Sequence, residues 1–232
     1  MKEANSKNLK VDLHLHTCVS KDGLLHPAAM IRRAKSKGLD RICITDHNSI
    51  IGAQAAQQID PDYVLVGEEI LTAEGHELLA FFVSKWVPPR LPYREALSRL
   101  EAQGAVISVS HPFDRHRNQP WSEAILESIL PRLDAIEGFN ARAVHAADND
   151  RALAFAAKHG LPVTAGSDAP IGAEIGAAYL ELPAFTSAAE FRAALPQAQI
   201  RGNLSPLWVH FFSVLNKWRG KVGLKPSLGG RA

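Results

Sequence analysis

Asp12-Leu13-His14-Leu15-His16 opens the first apolar run of the chain and carries two imidazoles two residues apart. Side chains alternate faces along a β-strand, so the spacing sets Asp12, His14 and His16 on one side and Val11, Leu13 and Leu15 on the other. Two imidazoles on one face of a strand can both reach one metal ion, although such a pair alone is a short motif. Similar polar residues recur around the later apolar runs. Asp46 and His47 follow Arg41–Thr45, Glu68 and Glu69 lie within Tyr63–Leu71, and His76 stands just before Glu77–Val83. His111 follows Val106–Ser110, Glu137 and Asn140 mark the end of a further run, and Asp168 follows Val163–Gly166. In barrels of parallel strands the C-terminal ends converge on one mouth, and imidazoles with carboxylates gathered there make a multi-metal site. A serine or cysteine triad would not require so many histidines.

The elements that must hold these residues form a repeated unit. Lys37-Gly38, Gln103-Gly104 and His159-Gly160 each close a helical segment, and each is followed by a short β-branched run. Glycine in the left-handed position after a helix, then a strand, predicts alternating α and β elements around a parallel sheet or barrel. Helices are expected at Pro27–Lys37, Ile50–Gln58, Tyr93–Ala102, Ser122–Leu130, Ala143–His159 and Ser187–Leu195, with further strands at Ala135–Phe139 and Ala177–Leu182. No linker interrupts residues 11–195, so residues 1–202 read as one domain. Residues 203–232 read as a tail with a short helix over Leu207–Leu215, docked on the domain, and a Gly/Lys-rich flexible end.

Composition bounds the function. With 46% hydrophobic and 22% charged residues the chain suits a globular domain, and 26 basic against 24 acidic residues give no case for broad nucleic-acid binding. Cys18 and Cys43 are the only cysteines, which makes a disulfide framework unworkable and favours a reducing, cytoplasmic setting. The polar, lysine-rich start excludes a secretory signal, and no run has the roughly 20 apolar residues of a membrane span.

The ordered motifs Asp12-Leu13-His14-Leu15-His16-Thr17, Ser20-Lys21-Asp22-Gly23, Ile44-Thr45-Asp46-His47-Asn48, Gly67-Glu68-Glu69, Ser110-His111-Pro112, Glu137-Gly138-Phe139-Asn140 and Gly166-Ser167-Asp168 resemble those of the PHP (polymerase and histidinol phosphatase) superfamily. They cover nearly all of residues 11–170, and the chain is most similar to the short stand-alone PHP phosphoesterases. The resemblance implies an α/β fold, a distorted (β/α)7 barrel with its metal site at the C-terminal ends of the strands. It also implies two or three divalent ions (Mn²⁺, Fe²⁺ or Zn²⁺) that hydrolyse phosphate esters of small metabolites or nucleotides through a water bridging the metals. By motif, His14, His16, Glu69 and Asp168 would hold the first ion, and Glu69, His76 and His111 the second. Asp22 and His47 would contribute to a third. The family expects Gly-Ser-Asp-x-His, and this chain has Asp168-Ala169-Pro170, which removes one ligand from the third site unless His116 or Glu174 replaces it.

Asp168 and His111 are also the expected catalytic residues, with Arg142 favoured over Arg115 and Arg117 to bind the substrate phosphate. Asp12 and Asp46 are expected to accept a proton from the outer nitrogen of a ligand histidine, or to cap turns. Phe113 and Trp121 could stack on a base or cover the rim, and Cys18 reads as a small buried filler. His26, His145 and His159 read as surface or helix-end residues. Two other functions fit less of the sequence: a histidinol-phosphate-type phosphatase, and a PHP domain whose altered site serves a binding or structural role.

Overall fold

The computed structural model describes residues 8–117, 119–206 and 228. The expected tail helix lies outside them. β1 (Leu9–Leu15), α1 (Pro27–Ser36), β2 (Arg41–Ile44), α2 (Ile51–Ile59) and β3 (Val64–Leu71) alternate, and β4 (Glu77–Phe81) then turns straight back. α3 (Tyr93–Glu101), β5 (Val106–Val109), α4 (Glu123–Ile129), β6 (Ile136–Asn140), α5 (Ala146–His159) and β7 (Val163–Gly166) resume the alternation. β8 (Ala178–Leu182), α6 (Ala188–Ala194) and β9 (Gln199–Gly202) follow. The three glycines expected to stop helices, Gly38, Gly104 and Gly160, have φ of 75°, 71° and 65°, which a side chain would resist. No helix among the described residues is long and apolar enough to cross a membrane.

Seven strands form one sheet in the order β5-β4-β3-β2-β1-β8-β9, and β6 pairs with β7 in a second ladder. β1, β2 and β3 are parallel, whereas β4 is antiparallel to both β3 and β5. The turn of five residues between β3 and β4 is too short for a crossover, which dictates that reversal. The two ladders meet through isolated bonds. Asp134 N and Ala135 N donate to Ile107 O at 2.9 and 3.2 Å, and His16 N donates to Ala169 O at 3.2 Å. The α/β class therefore stands, while the sheet itself is mixed, curled and open rather than a continuous seven-stranded ring.

The strands from β1 to β5 bury both faces. Ile42, Ile44, Val64, Val66, Leu78 and Ala80 pack outward with Met30, Ala53, Leu97 and Leu100 of the helices. Val11, Leu13, Cys43, Leu65, Leu79, Phe81 and Val106 fill the interior. Strict alternation fails in β1. Its register against β2 slips by one residue between Asp12 and Leu15, so Leu13 joins the interior while Leu15 joins the outer layer. A bulge of this kind re-aims side chains. It separates Asp12 from the two histidines with which simple alternation groups it.

Gly166 shows how closely β7 approaches this bulge. A Cβ there would strike the His14 Cβ and lie 2.7 Å from the His14 backbone nitrogen. Overpacking of this kind typically destabilises by about 1–3 kcal/mol. Gly166→Ala should therefore lower the urea midpoint by a corresponding amount. An unchanged midpoint would show that β1 and β7 have room to separate.

Candidate metal centre

Strand parity decides which side chains enter the interior. Along β3, Leu65 faces inward and so does Glu69, while Glu68 shares the outward parity of Val64, Val66 and Ile70. β4 runs antiparallel with Leu79 opposite Glu69 and Glu77 opposite Leu71. Glu77 therefore points inward with Leu79 and Phe81. His76 stands in the turn just before β4, where its ring is buried and stacks on Trp121 with centroids 4.3 Å apart. Its Nδ1 donates to Gln119 O at 3.1 Å. His76 belongs to none of the close ligand groups among the described residues, whereas its neighbour Glu77 reaches the cluster.

Glu69, 1% exposed, is the hub. Its Oε1 accepts from Ser110 Oγ at 2.7 Å and from His111 Nε2 at 3.0 Å, and lies 3.4 Å from His14 Nε2. Its Oε2 lies 2.8 Å from His47 Nδ1 and 3.6 Å from His16 Nε2. Asp168 Oδ1 is 3.1 Å from His16 Nε2 and 3.8 Å from His14 Nε2, and Glu77 Oε2 is 3.6 Å from His111 Nε2. Among the described residues, three groups have ligand atoms within 4.8 Å of one another: His14, His16 and Glu69; His47, Glu69 and Glu77; His16, Asp22 and His47. The structure thus brings together every expected ligand except His76. His47 is the most exposed of these ligand side chains, at 23%.

The surrounding residues aim these groups. Glu137 Oε1 accepts from His14 Nδ1 at 2.9 Å, and its Oε2 accepts from His111 N at 2.7 Å. It performs the orienting role expected of Asp12 and Asp46, leaving His14 Nε2 directed at Glu69. The sequence signal for it was present in the run Ile136–Asn140. Asp12 accepts instead from Ser167 N, Ser167 Oγ and Gly176 N, fastening the segment after β7. Asp46 accepts from Thr17 N, Thr17 Oγ1 and Ser20 Oγ, fastening the loop that carries Asp22. Pro170 offers no ligand atom, yet its carbonyl accepts from Leu24 N at 2.9 Å and ties the same loop down. His111 and Asp168 have φ of 24° and 52°, a conformation unfavourable for side chains and characteristic of functional sites.

Of the three candidate arginines, Arg117 enters the centre, where its Nη2 meets Asp168 Oδ2. Burial works against its charge, but Asp168, Glu77 and Glu69 more than compensate and raise its pKa. Arg142 is 7% exposed and faces Glu174, with Nε 3.4 Å from Oε1. Arg115 is 62% exposed and pairs with Asp148. His116 lies beside His145, with ring centroids 5.1 Å apart, and neither it nor Glu174 belongs to a ligand group. Phe113 and Trp121 are both buried.

The charge balance suits cations. His14 Nε2, Glu69 Oε2 and Asp22 Oδ1 are buried and make no directed hydrogen bond among the described residues. Buried polar atoms without partners are destabilising unless something satisfies them, and imidazole and carboxylate atoms turned toward one point fit a divalent ion. Burial opposes ionisation throughout. Even so, His47 and His14 hold the Glu69 carboxyl well below its usual range, and Glu137 and Glu69 raise His14 well above its own. Arg117 and His14 lower Asp168 against the same burial penalty.

The PHP-domain family profile matches residues 12–85, and the profile of the PHP-associated region matches residues 146–200. An uncharacterized protein of Methanocaldococcus jannaschii is 34% identical over 176 residues, which cover 75% of this chain and 70% of that one. PsfC of Pseudomonas syringae superposes with a TM-score of 0.65 at 19% identity, covering 93% of this chain and 99% of that one. A protein of Bifidobacterium adolescentis assigned as a metal-dependent phosphoesterase gives a TM-score of 0.60 at 18% identity, covering 70% and 88%. The chain belongs to the PHP-domain family.

Two tests follow from the parity of β3 and β4. Glu77→Gln should weaken Mn²⁺ binding more than tenfold by calorimetric titration, since even outer partners of metal sites are worth about 10–100-fold. His76→Gln should leave Mn²⁺ affinity near wild type, and the reverse pattern would restore His76 as the ligand. Outward-facing Glu68 is pushed by burial from 4.5 to about 8, the bond from Val87 N only partly opposing this. The folded state therefore keeps a proton that the unfolded chain loses, and stability falls as pH rises between those values. In EDTA, Glu68→Gln should flatten the fall in Tm between pH 5 and 8. A fall as steep as wild type would contradict the shift.

Proposed function

We propose that this protein is a metal-dependent phosphoesterase acting on phosphate esters of small metabolites or nucleotides. The observation that carries the reading is Glu69, a buried carboxylate meeting His14, His16, His47 and His111, beside polar atoms that no hydrogen bond satisfies among the described residues. Membership of the PHP-domain family supports it. The two bonded seams between the ladders also support reading the open sheet as a distorted seven-stranded barrel.

His14, His16, Glu69 and Asp168 would hold one cation, and Glu69, Glu77 and His111, with His47 in reach, a second. Asp22, His16 and His47 would offer a weaker third site, lacking the ligand that Pro170 replaces. Bound there, Mn²⁺, Fe²⁺ or Zn²⁺ would polarise the phosphoryl oxygens and acidify water. Glu137 keeps His14 and His111 in their orientation throughout the reaction. Arg117 presents a guanidinium beside Asp168, where a remaining N–H can hold a phosphate oxygen. His47 borders the approach from solvent, so the organic part of an ester would lie on its side of the centre.

Phosphate release from a panel of nucleotide, sugar and histidinol phosphates by Mn²⁺-loaded protein tests this function. Asp168→Asn should lower turnover more than about a hundredfold, removing a ligand where an outer partner alone can be worth that much. Arg117→Met should raise KM about tenfold, the worth of one hydrogen bond to a charged group. Metal-loaded protein inactive on every ester would overturn the reading in favour of a binding role.

A further inference from the structure

Among the described residues the large apolar side chains most open to water are Ile51, Ile59 and Trp86, at 57%, 54% and 52% exposure. Two of them flank the segment that carries His47. Ile51 opens α2 four residues after it, and the Trp86 indole donates from Nε1 to Asn48 O at 2.8 Å. Asn48 is itself fixed to the centre, since its N–H donates to Glu69 O at 2.7 Å and its Oδ1 accepts from Leu71 N at 2.8 Å. The indole is therefore anchored one residue from the exposed edge of the metal centre.

The loop that bears it is held on both sides. Gln103 Oε1 accepts from Ser84 N and Lys85 N, each at 2.8 Å, and its Nε2 donates to Lys85 O at 3.1 Å. On the other side, Val87 N donates to the buried Glu68 at 3.0 Å, and the Val87 side chain is itself buried. Between these anchors stands a side chain half in water. An exposed indole gives up most of the stabilisation that burying a tryptophan brings. On a rigid loop it loses little conformational freedom when a ligand lies against it, which favours binding. Its face matches a flat π-system, and such stacking tolerates every base.

We propose that Trp86 is a stacking platform for the nucleobase of the substrate, so that nucleotide esters are preferred over sugar or polyol phosphates. The proposal rests on the phosphoesterase reading for its geometry. A phosphate held by the cations would leave the rest of the ester on the His47 side, and the indole is bonded to the carbonyl of the next residue, Asn48. Trp121 and Phe113, in the segment after His111, are buried and present no such face.

Calorimetric titration of Mn²⁺-loaded protein with adenosine 5′-monophosphate and with ribose 5-phosphate separates the base from the phosphate. Wild type should bind the nucleotide about tenfold more tightly than ribose 5-phosphate, the scale of one stacked base. Trp86→Ala should lose that preference and Trp86→Phe should keep most of it, which also guards against a folding defect in the alanine variant. A single-stranded octanucleotide run alongside distinguishes the source of the base. Tight binding lost in Trp86→Ala would keep the stacking role and assign the base to a nucleic-acid end. Equal binding of the two small ligands by wild type, or unchanged nucleotide affinity in Trp86→Ala, would overturn the proposal. Phosphate-release assays keep the two claims apart. Trp86-dependent nucleotide binding without hydrolysis of any ester would remove the phosphoesterase reading and leave the platform, whereas hydrolysis without base preference would do the reverse.

Discussion

A carboxylate buried among four imidazoles is the constraint around which the rest of the structure is arranged. Glu69 lies in the interior, where an unbalanced charge would be strongly destabilising. Opposite charge and hydrogen bonding must come from several strands at once, so the strands must keep their relative positions to within an ångström or so. The apolar half of the interior, from Val11 and Leu13 to Leu79 and Phe81, supplies that rigidity. It is a packed floor on which the polar half rests.

Three local departures from regular β structure make the polar half possible. The bulge in β1 turns His14 and His16 inward and frees Asp12 to fasten the segment after β7. A second slip in β6, between Glu137 and Phe139, accompanies Glu137 and Asn140 bonding to each other although three residues separate them. The short β3–β4 turn brings the start of β4 to the end where β3 finishes, which is how Glu77 arrives beside Glu69. Each of these features places side chains of the centre.

The sequence made much of this legible. Six helices appear within a few residues of their expected bounds, because apolar periodicity and glycine stops are local signals. The motif resemblance pointed to Glu69 over Glu68, and strand alternation sets those two neighbours on opposite faces. What stayed hidden depends on pairing. Glu77 comes beside His111 through the register of β4 against β3 and β5, which no single run reveals. Glu137's bond to His14 spans 123 residues. Arg117 and Arg142 are indistinguishable as loop arginines until Asp168 and Glu174 are seen beside them. β9 was not expected at all, since the exposed, polar Gln199–Gly202 carries no alternation and forms only by pairing with β8.

Anomalous diffraction from crystals of the protein grown with Mn²⁺ would test the central claim directly, because it locates the ions without depending on substrate. The account predicts peaks touching Glu69, one bordered by His14, His16 and Asp168 and another by His111 and Glu77. Protein that binds Mn²⁺ only elsewhere, or shows no peak at Glu69, would contradict it.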